Sequence, residues 1–272
     1  ITGIYMISYF SFFVIHEGNI DNIELFNFIL FIICGLLTLF VYPLIYIYEK
    51  IFNLMSDVSL LELSDTNSPL LKDLSNKAPG TFHHSMNVAN LAESSANEIG
   101  ANSMLARVGA LYHDIGKMDN PSYFTENQVT GKNPHDSLSS KESVSIILNH
   151  VSKGVEIAKK NNLPNRIVDF IKTHHGTSTL HYFYDKDLKL NRNPKINEYK
   201  YNGPKPFSKE TALVMMCDSV EAATKSLDNP DTEQINSFVE TIIDKQIKNK
   251  QFENCDITFK DIKTIKSVIK KK

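Results

Sequence analysis

The chain has 272 residues, of which 42% are hydrophobic and 22% are charged, and its formal net charge is -2. This composition is typical of a globular protein with one or two domains and excludes a disordered chain. The small net charge provides no basic surface for a long nucleic acid, so we expect no such partner. The three cysteines are far apart in sequence, which indicates neither a disulfide framework nor a zinc ribbon.

The N-terminal part of the chain predicts a membrane anchor. No charged residue occurs from Leu25 to Tyr48, and this run exceeds the roughly 20 residues that span the hydrocarbon core of a bilayer. Residues 1–15 are also free of charge, and we interpret them as the end of a preceding transmembrane helix in a longer, multi-pass protein. The loop between them, residues 16–24, carries only acidic charges, whereas every Lys and Arg follows Tyr48. Because basic residues favour the cytoplasmic side, we expect this loop to be extracytoplasmic and the large domain to be cytoplasmic.

The rest of the chain predicts a connector and one helical domain. We expect residues 49–69 to form a connector helix and linker and residues 70–272 to form the domain, with a soluble chain beginning near Ser64. Apolar residues recur at helical spacing and no stretch alternates as a strand would, so the predicted fold class is all-α. The predicted helices cover roughly Thr81–Ile99, Ser103–Ile115, Ser139–Lys160, Pro164–His175, Ser208–Leu227, Asp231–Lys248 and Lys260–Ile269. Two segments, Asp119–Asp136 and Asp185–Phe207, are predicted to be long loops, which are often functional.

A histidine and an aspartate, His113 and Asp114, stand side by side at the end of an apolar helix. An imidazole offers a metal one nitrogen at a time, whereas a carboxylate can bridge two metal ions with its two oxygens. Five other potential ligands lie in helix-like apolar stretches: His84, His150, His174, His175 and Asp218. Any one of these histidines could instead be an ordinary core residue, but seven potential ligands favour a centre of two metals.

Helical register tests whether these side chains face the core. His84 shares a helical face with apolar Val88, whereas its neighbour His83 shares a face with polar residues. We therefore expect His84 to be buried and His83 to be exposed. The residues around His113 are small, so another helix could approach closely.

Three further residues are candidates for substrate contacts. Lys117 lies one turn beyond Asp114, where a lysine could bind a phosphate or simply remain on the surface. His135 and Lys205 lie in the two predicted loops. For His135 a structural role is the favoured alternative.

The arrangement of His84, the His113-Asp114 pair and Asp218 resembles the HD superfamily of metal-dependent phosphohydrolases. His150 with His174 and His175 resembles the additional ligands of its two-metal branch. Five stretches are similar to the cytoplasmic domain of the seven-transmembrane HD proteins of the PgpH type: Ala78–Ser85, His113–Lys117, Asn133–Asp136, His174–Thr177 and Gly203–Pro206. This resemblance runs from about Leu70 to the C-terminus and implies an HD-domain helical bundle.

The resemblance implies a membrane-anchored phosphodiesterase at a bacterial cell membrane that hydrolyses cyclic di-AMP to the linear dinucleotide pApA. It implies two divalent metal ions, iron or manganese, whose shared hydroxide attacks the phosphorus. The implied metal ligands are His84, His113, Asp114, His150, His174, His175 and Asp218. Asp114, as the bridge, and Lys117 are the catalytic candidates, and Lys117, His135 and Lys205 are the substrate-binding candidates.

Alternatives to cyclic di-AMP hydrolysis remain open at this point. The related HD-GYP enzymes act on cyclic di-GMP, but here His174-His175 is followed by Gly-Thr without a Gly-Tyr-Pro sequence, which puts that substrate second. Another nucleotide could be the substrate, or the domain could be a non-catalytic receptor, although no implied ligand has been lost. The expected partners are cyclic di-AMP and a lipid bilayer, and a homodimer is left open.

Overall fold

The structure is a computed structural model that describes residues 1–18, 23–52, 54–128, 133–190, 192–225 and 231–272. The chain divides into two compact units, Ile1–Ser56 and Asp57–Lys272, and each is described by itself. The predicted acidic loop at residues 16–24 includes residues 19–22, which lie outside the described residues.

The first unit consists of three apolar helices, α1 Thr2–Glu17, α2 Leu25–Thr38 and α3 Val41–Phe52. Tyr9 of α1 packs edge-on against Phe28 and Phe31 of α2, with ring centroids 5.4 and 5.7 Å away. No described residue of α2 or α3 is buried. Among the described residues, Leu25–Phe52 is the one helical stretch with the length and composition to cross a membrane.

The second unit is built from helices that enclose one core. Its α-helices are α4 Asp57–Ser64, α5 Pro69–Lys77, α6 Pro79–Glu98, α7 Ser103–Tyr112, α8 Ser140–Lys160, α9 Asn165–Thr173, α10 His181–Lys189, α11 Lys209–Lys225, α12 Thr232–Lys248 and α13 Phe259–Lys271. Short 3-10 helices cover Ile115–Asp119, Pro121–Tyr123, Thr125–Asn127, Pro134–Ser137 and Ile196–Tyr199. The described part of the chain contains no β-strand, only an isolated bridge between Thr179 and Lys200. The all-α prediction is therefore confirmed.

Helix α6 packs against α7 and α11, while α9 packs against α7 and α8. Glycines permit the closest approaches. A Cβ atom on Gly109 of α7 would lie 2.4 Å from the Phe170 ring of α9, and one on Gly116 would lie 1.8 Å from the backbone oxygen of His150 in α8. Five helices, α6, α7, α8, α9 and α11, thereby bring their polar residues to one place in the core.

Local sequence signals explain where several helices begin. The Asn102 side chain caps α7 by accepting a hydrogen bond from the Leu105 N–H at 2.9 Å. Ser139 and Glu142 form a reciprocal capping box at the start of α8. Each of the seven predicted helices has a counterpart, although residues 226–227 of the predicted Ser208–Leu227 lie outside the described residues. Helix α7 ends at Tyr112, and the chain continues from Ile115 as a 3-10 helix.

The prediction that Asp185–Phe207 is wholly non-helical is wrong, because α10 extends to Lys189. Phe183 and Asp187 lie one turn apart and both face inward, where Asp187 accepts hydrogen bonds from Ser140 and Tyr199. A buried aspartate interrupts the apolar periodicity that identifies a helix, so the pattern was hidden.

The segment preceding the domain also differs from the prediction. Helix α5, which is absent from the predicted helices, begins at Pro69 and buries Leu70, Leu71 and Leu74. The connector at residues 49–63 was expected to continue as a helix, but α3 ends at Phe52 and α4 begins at Asp57. Helix α4 belongs to the second unit and packs against α7.

Candidate metal centre

The His113-Asp114 pair lies in the core because α7 ends there. His113 caps the C-terminus of α7, and Asp114 precedes the next 3-10 helix. Both residues are buried, with exposed fractions of 0% and 1%. On α6, His84 is buried beside Ser85 and Val88, whereas His83 is exposed. The prediction that His84 is buried and His83 is exposed is therefore confirmed.

One side of Asp114 faces a first ligand group, defined as His84, His113, Asp114 and Asp218. The Oδ2 atom of Asp114 lies 3.2 Å from His113 Nε2 and 3.6 Å from His84 Nε2. The Oδ1 atom of Asp218, on α11, lies 2.9 Å from His84 Nε2 and 3.5 Å from His113 Nε2. Two imidazoles and two carboxylates therefore converge within the reach of a single cation.

The other side of Asp114 faces a second ligand group, defined as Asp114, His150, His174 and His175. The Oδ1 atom of Asp114 lies 3.4 Å from His150 Nε2 and 3.5 Å from His174 Nε2. These two nitrogens are 3.2 Å apart. His175 completes the group, and its Nδ1 lies 3.8 Å from Asp218 Oδ2. Asp114 is thus common to both groups and presents a different oxygen to each.

The backbone orients three of these imidazoles. His113 Nδ1 donates to the Ala110 carbonyl at 2.6 Å, and His150 Nδ1 donates to the Ile147 carbonyl at 2.5 Å. His174 Nδ1 donates in the same way to Ile171 at 2.9 Å. A hydrogen bond from one ring nitrogen leaves the other nitrogen free to bind a metal, so each Nε2 points toward the centre as a ligand.

The surroundings of the centre shift the pKa values of its histidines in opposite directions and lower the pKa of Asp114. Burial alone would lower the pKa of His113, but the neighbouring carboxylates of Asp114 and Asp218 outweigh it and raise the pKa to about 10. Burial opposes ionisation of Asp114 as well, yet Lys117 and His113 hold its pKa well below the usual range. Burial lowers the pKa of His174, and burial with the adjacent His174 lowers that of His175 further.

Buried polar atoms without a hydrogen-bond partner test whether metal ions fit the two ligand groups. His113 Nε2 and Asp114 Oδ1 are buried and make no hydrogen bond of acceptable geometry with any described residue. Buried polar atoms without partners are costly and rare in native proteins, and a bound ion is one feature that accounts for them. The mixed nitrogen and oxygen donors suit first-row transition metals such as iron and manganese. The residues therefore fit two cations that share Asp114.

The three candidate substrate-binding residues lie in different environments. Lys117 Nζ lies 2.7 Å from Asp114 Oδ2 and 2.8 Å from Glu126 Oε1, at the edge of the first ligand group. His135 is in neither ligand group, and its Nε2 donates to the Tyr123 carbonyl at 2.9 Å. Lys205 Nζ forms an ion pair with Glu253 at 2.7 Å. Of the three, only Lys117 directly contacts a metal-ligand candidate.

Two residues at the centre were not identified from the sequence. Glu221 contacts His84 Nδ1 through Oε2, and it follows Asp218 by one helical turn, a spacing that could have drawn attention to it. The Tyr201 ring packs on His175 with centroids 4.2 Å apart. Tyr201 reaches this position because its N–H donates to the Ser178 carbonyl at 2.9 Å, a contact that no sequence pattern indicates.

Comparison with known proteins identifies the fold that carries this centre. A family model described as "HD domain" matches residues 81–223. Over 223 residues the chain is 48% identical to "Cyclic-di-AMP phosphodiesterase PgpH" of Listeria monocytogenes serotype 1/2a (strain 10403S), covering 82% of this chain and 31% of that protein. Over 218 residues it is 45% identical to the protein of the same name from Bacillus subtilis (strain 168), covering 80% of this chain and 31% of that protein. The chain thus spans about a third of the length of these curated relatives.

A solved structure is similar over about three quarters of the chain. The crystal structure of the L. monocytogenes phosphodiesterase PgpH HD domain in complex with cyclic-di-AMP has a TM-score of 0.74 and 49% sequence identity. The match covers 76% of this chain and 97% of that chain. The family model spans every member of both ligand groups, and the chain belongs to the HD domain family.

Proposed function

We propose that this chain hydrolyses cyclic di-AMP to pApA as a metal-dependent phosphodiesterase. The observation that carries the proposal is that Asp114 turns one oxygen toward each of two ligand groups. A carboxylate held in this way suits two adjacent cations, the arrangement that stabilises both the attacking and the leaving oxygen in phosphodiester hydrolysis. The substrate is suggested by the two similar phosphodiesterases and by the HD domain that binds cyclic-di-AMP.

In this proposal the seven sequence-predicted ligands hold two divalent cations, iron or manganese. When bound, the cations would supply an activated water and positive charge for the phosphoryl oxygens. Asp114 would be a ligand in both cation positions. The histidines that donate Nδ1–H to backbone carbonyls keep their Nε2 atoms directed toward the centre. Lys117 would contact a non-bridging phosphate oxygen, since its ammonium already lies beside Asp114 and is mostly shielded from solvent. Lys205 and His135 remain weaker candidates for substrate contacts, because both have partners elsewhere.

The proposed location of the domain is the cytoplasmic face of a bacterial membrane. Residues 25–48 would span the bilayer, residues 1–15 would end a preceding span, and the acidic loop at 16–24 would lie outside. Residues 49–69 would connect the span to the catalytic domain at 70–272. The apolar character of Leu25–Phe52 and the restriction of every Lys and Arg to positions after Tyr48 support this orientation.

Hydrolysis in isotopically labelled water tests the reaction. The chain is loaded with manganese, or with iron under anaerobic conditions, and incubated with cyclic di-AMP in water enriched in oxygen-18. Water adds to phosphorus as the bond to the 3′ oxygen breaks, and the 3′ oxygen takes up a proton. We expect pApA with one heavy oxygen on the terminal 5′-phosphate, measured by mass spectrometry. A product without the label would contradict direct attack by water.

The same assay with a second nucleotide tests the substrate. We expect cyclic di-AMP to be consumed faster than cyclic di-GMP at equal concentrations. Faster consumption of cyclic di-GMP would preserve the reaction but overturn the substrate. Tight binding of cyclic di-AMP by the metal-loaded chain without turnover would instead favour the receptor alternative.

A further inference from the structure

The four histidines that offer Nε2 to the centre are not supported in the same way. For His113, His150 and His174 the outer nitrogen donates to a backbone carbonyl within the same helical turn. For His84 the outer nitrogen, Nδ1, contacts the side-chain carboxylate of Glu221 instead. A neutral carbonyl therefore supports three of these ligands, and an ionisable group from another helix supports the fourth.

Glu221 is held firmly in this position. Its side chain is only 7% exposed, and its second oxygen, Oε1, accepts hydrogen bonds from Asn87 Nδ2 at 2.9 Å and from Lys225 Nζ at 2.6 Å. Asp218 lies one turn earlier on α11, so the same helix supplies a ligand candidate to the centre and a partner to His84. Both oxygens of Glu221 are therefore engaged, and the carboxylate cannot turn away from His84 without losing two other contacts.

Charge differs between the two ligand groups. The first group contains two carboxylates, Asp114 and Asp218, with Glu221 directly behind His84. The second group contains the shared Asp114 with three imidazoles, and Asp218 approaches it only from a distance, with Oδ2 3.8 Å from His175 Nδ1. Lys117 opposes a cation in the first group, because its Nζ lies 2.7 Å from Asp114 Oδ2, but Glu126, 2.8 Å from the same Nζ, offsets part of that charge. The half-exposed Lys225 is screened by solvent. Opposite charge at close range in a buried site attracts a cation strongly, so the two positions should differ in affinity.

We propose that Glu221 is a positioning residue that orients His84, increases its basicity, and makes the first ligand group the tighter of two cation sites. A carboxylate that accepts the outer N–H of a ligating histidine fixes the ring and strengthens the metal bond. The inference rests on the proposed function only in taking the two groups as cation sites. It does not depend on which nucleotide is hydrolysed.

Manganese titration of the full 272-residue chain in detergent micelles tests this role. Metal-free protein is titrated with Mn²⁺ while the free ion is measured by electron paramagnetic resonance, so neither nucleotide nor turnover is involved. We expect the unaltered chain to bind two Mn²⁺ ions in two resolved steps. In Glu221→Gln, which keeps the shape of the side chain but removes its charge, the dissociation constant of the tighter step should rise by about 10- to 100-fold. The weaker step should change by less than about 3-fold, since the carbonyl-bound histidines of the second group are untouched.

Glu240→Gln is the matched control. It removes the same charge and breaks ion pairs with Lys266 and Lys270, but Glu240 on α12 belongs to neither ligand group. Both binding steps should be unchanged in this variant. Circular dichroism and a thermal scan establish that each variant is folded before titration.

The outcomes separate a positioning role from a structural one. An unchanged tighter step in folded Glu221→Gln overturns the proposal, and so does an equal weakening of both steps. If Glu221→Gln does not fold, Glu221→Asp retains the buried charge but withdraws it from His84 by one methylene, and a selectively weakened tighter step is again expected. A single Mn²⁺ per unaltered chain overturns the assignment of two sites. Two ions bound as expected without cyclic di-AMP hydrolysis would contradict the proposed function but support the role of Glu221.

Discussion

The Oδ1 atom of Asp114 lies 3.4 Å from His150 Nε2, although α8 lies well beyond α7 in the sequence. The other oxygen of the same carboxylate faces His84 and His113. Asp114 is thus the single residue that the two ligand groups share. Its removal should affect both groups at once, whereas removal of any other ligand should affect mainly one.

We expect Asp114→Ala to lose metal and activity together. Without the carboxylate, two cations about 3.5–4 Å apart would repel each other with no anion between them. Elemental analysis of purified protein should show less than one metal per chain, and hydrolysis of cyclic di-AMP should fall to background. His83→Ala, next to His84 but exposed, should retain both metals and activity. An Asp114→Ala chain that still binds two metals would contradict the bridging role.

Lys117→Met should separate metal binding from turnover. The ammonium of Lys117 lies 2.7 Å from Asp114 Oδ2, where its charge opposes a cation. Removing it should leave metal affinity unchanged or higher, while the loss of a phosphate contact lowers kcat by about 100-fold. Calorimetric titration and steady-state kinetics measure the two effects. A parallel loss of metal and turnover would show that Lys117 supports the metal centre instead. Lys205→Met, which breaks an ion pair with Glu253, tests the weaker candidate in the same assay.

Metal binding should release protons at neutral pH. In the metal-free protein the pKa of His113 is raised to about 10, above the value of about 6.5 in an unfolded chain. The charged ring therefore stabilises the metal-free fold fully below about pH 6.5, and this stabilisation is lost as pH rises toward 10. A ligating imidazole must give up that proton. We expect at least one proton released per chain at pH 7, measured by calorimetry in buffers of different ionisation enthalpy, and a Tm that falls between pH 7 and 10 only without metal.

Gly116→Ala should displace α8 from the centre. Its Cβ would lie 1.8 Å from the backbone oxygen of His150 and 2.5 Å from the Gly154 nitrogen, and backbone atoms cannot move aside individually. We expect a loss of roughly 3 kcal/mol in the free energy of unfolding and weaker binding at the second ligand group. The three atoms nearest to a Cβ on Gly109 all belong to the Phe170 ring, at 2.4–2.6 Å. A side chain can shift as a unit more readily than the backbone can, so Gly109→Ala should cost less, about 1–2 kcal/mol. Chemical denaturation measures the free energy of unfolding of both variants. Equal losses would contradict the expectation that a clash with backbone costs more than a clash with a side chain.

A soluble chain should begin at Asp57, not at Ser64. Leu60 of α4 is only 2% exposed, and the Tyr112 hydroxyl donates to the Leu63 carbonyl at 3.0 Å. A chain of residues 57–272 should remain monodisperse without detergent. A chain of residues 64–272 should lose about 1.5–3 kcal/mol of stability from the missing leucine alone. If the longer chain requires detergent, the boundary between the apolar segment and the soluble unit has been placed incorrectly.

The sequence was most informative about which residues of a helix are buried and which are exposed. The contrast between His84 and His83 followed from periodicity alone, because adjacent residues on a helix point about 100° apart. Any one of the histidines could have been an ordinary core residue, but seven imidazoles and carboxylates in the apolar helices of one domain favoured a metal centre, because buried charges are costly unless they are paired or bind metal. The sequence failed where a buried polar residue interrupts the pattern, as Asp187 does in α10.

The sequence by itself determined the all-helical class, the apolar N-terminal segment, and the seven histidines and aspartates that the structure brings together into groups able to hold metal. Only the tertiary structure decided how these residues pair around Asp114, that Glu221 supports His84, and that Tyr201 covers His175. The tertiary structure also decided which of the two candidate lysines lies beside the centre, since Lys117 contacts Asp114 while Lys205 is paired with Glu253. The physical reason is that helical periodicity specifies which face of a helix is buried, whereas contacts between helices depend on close approaches such as those at Gly109 and Gly116, which have no local signature in the sequence.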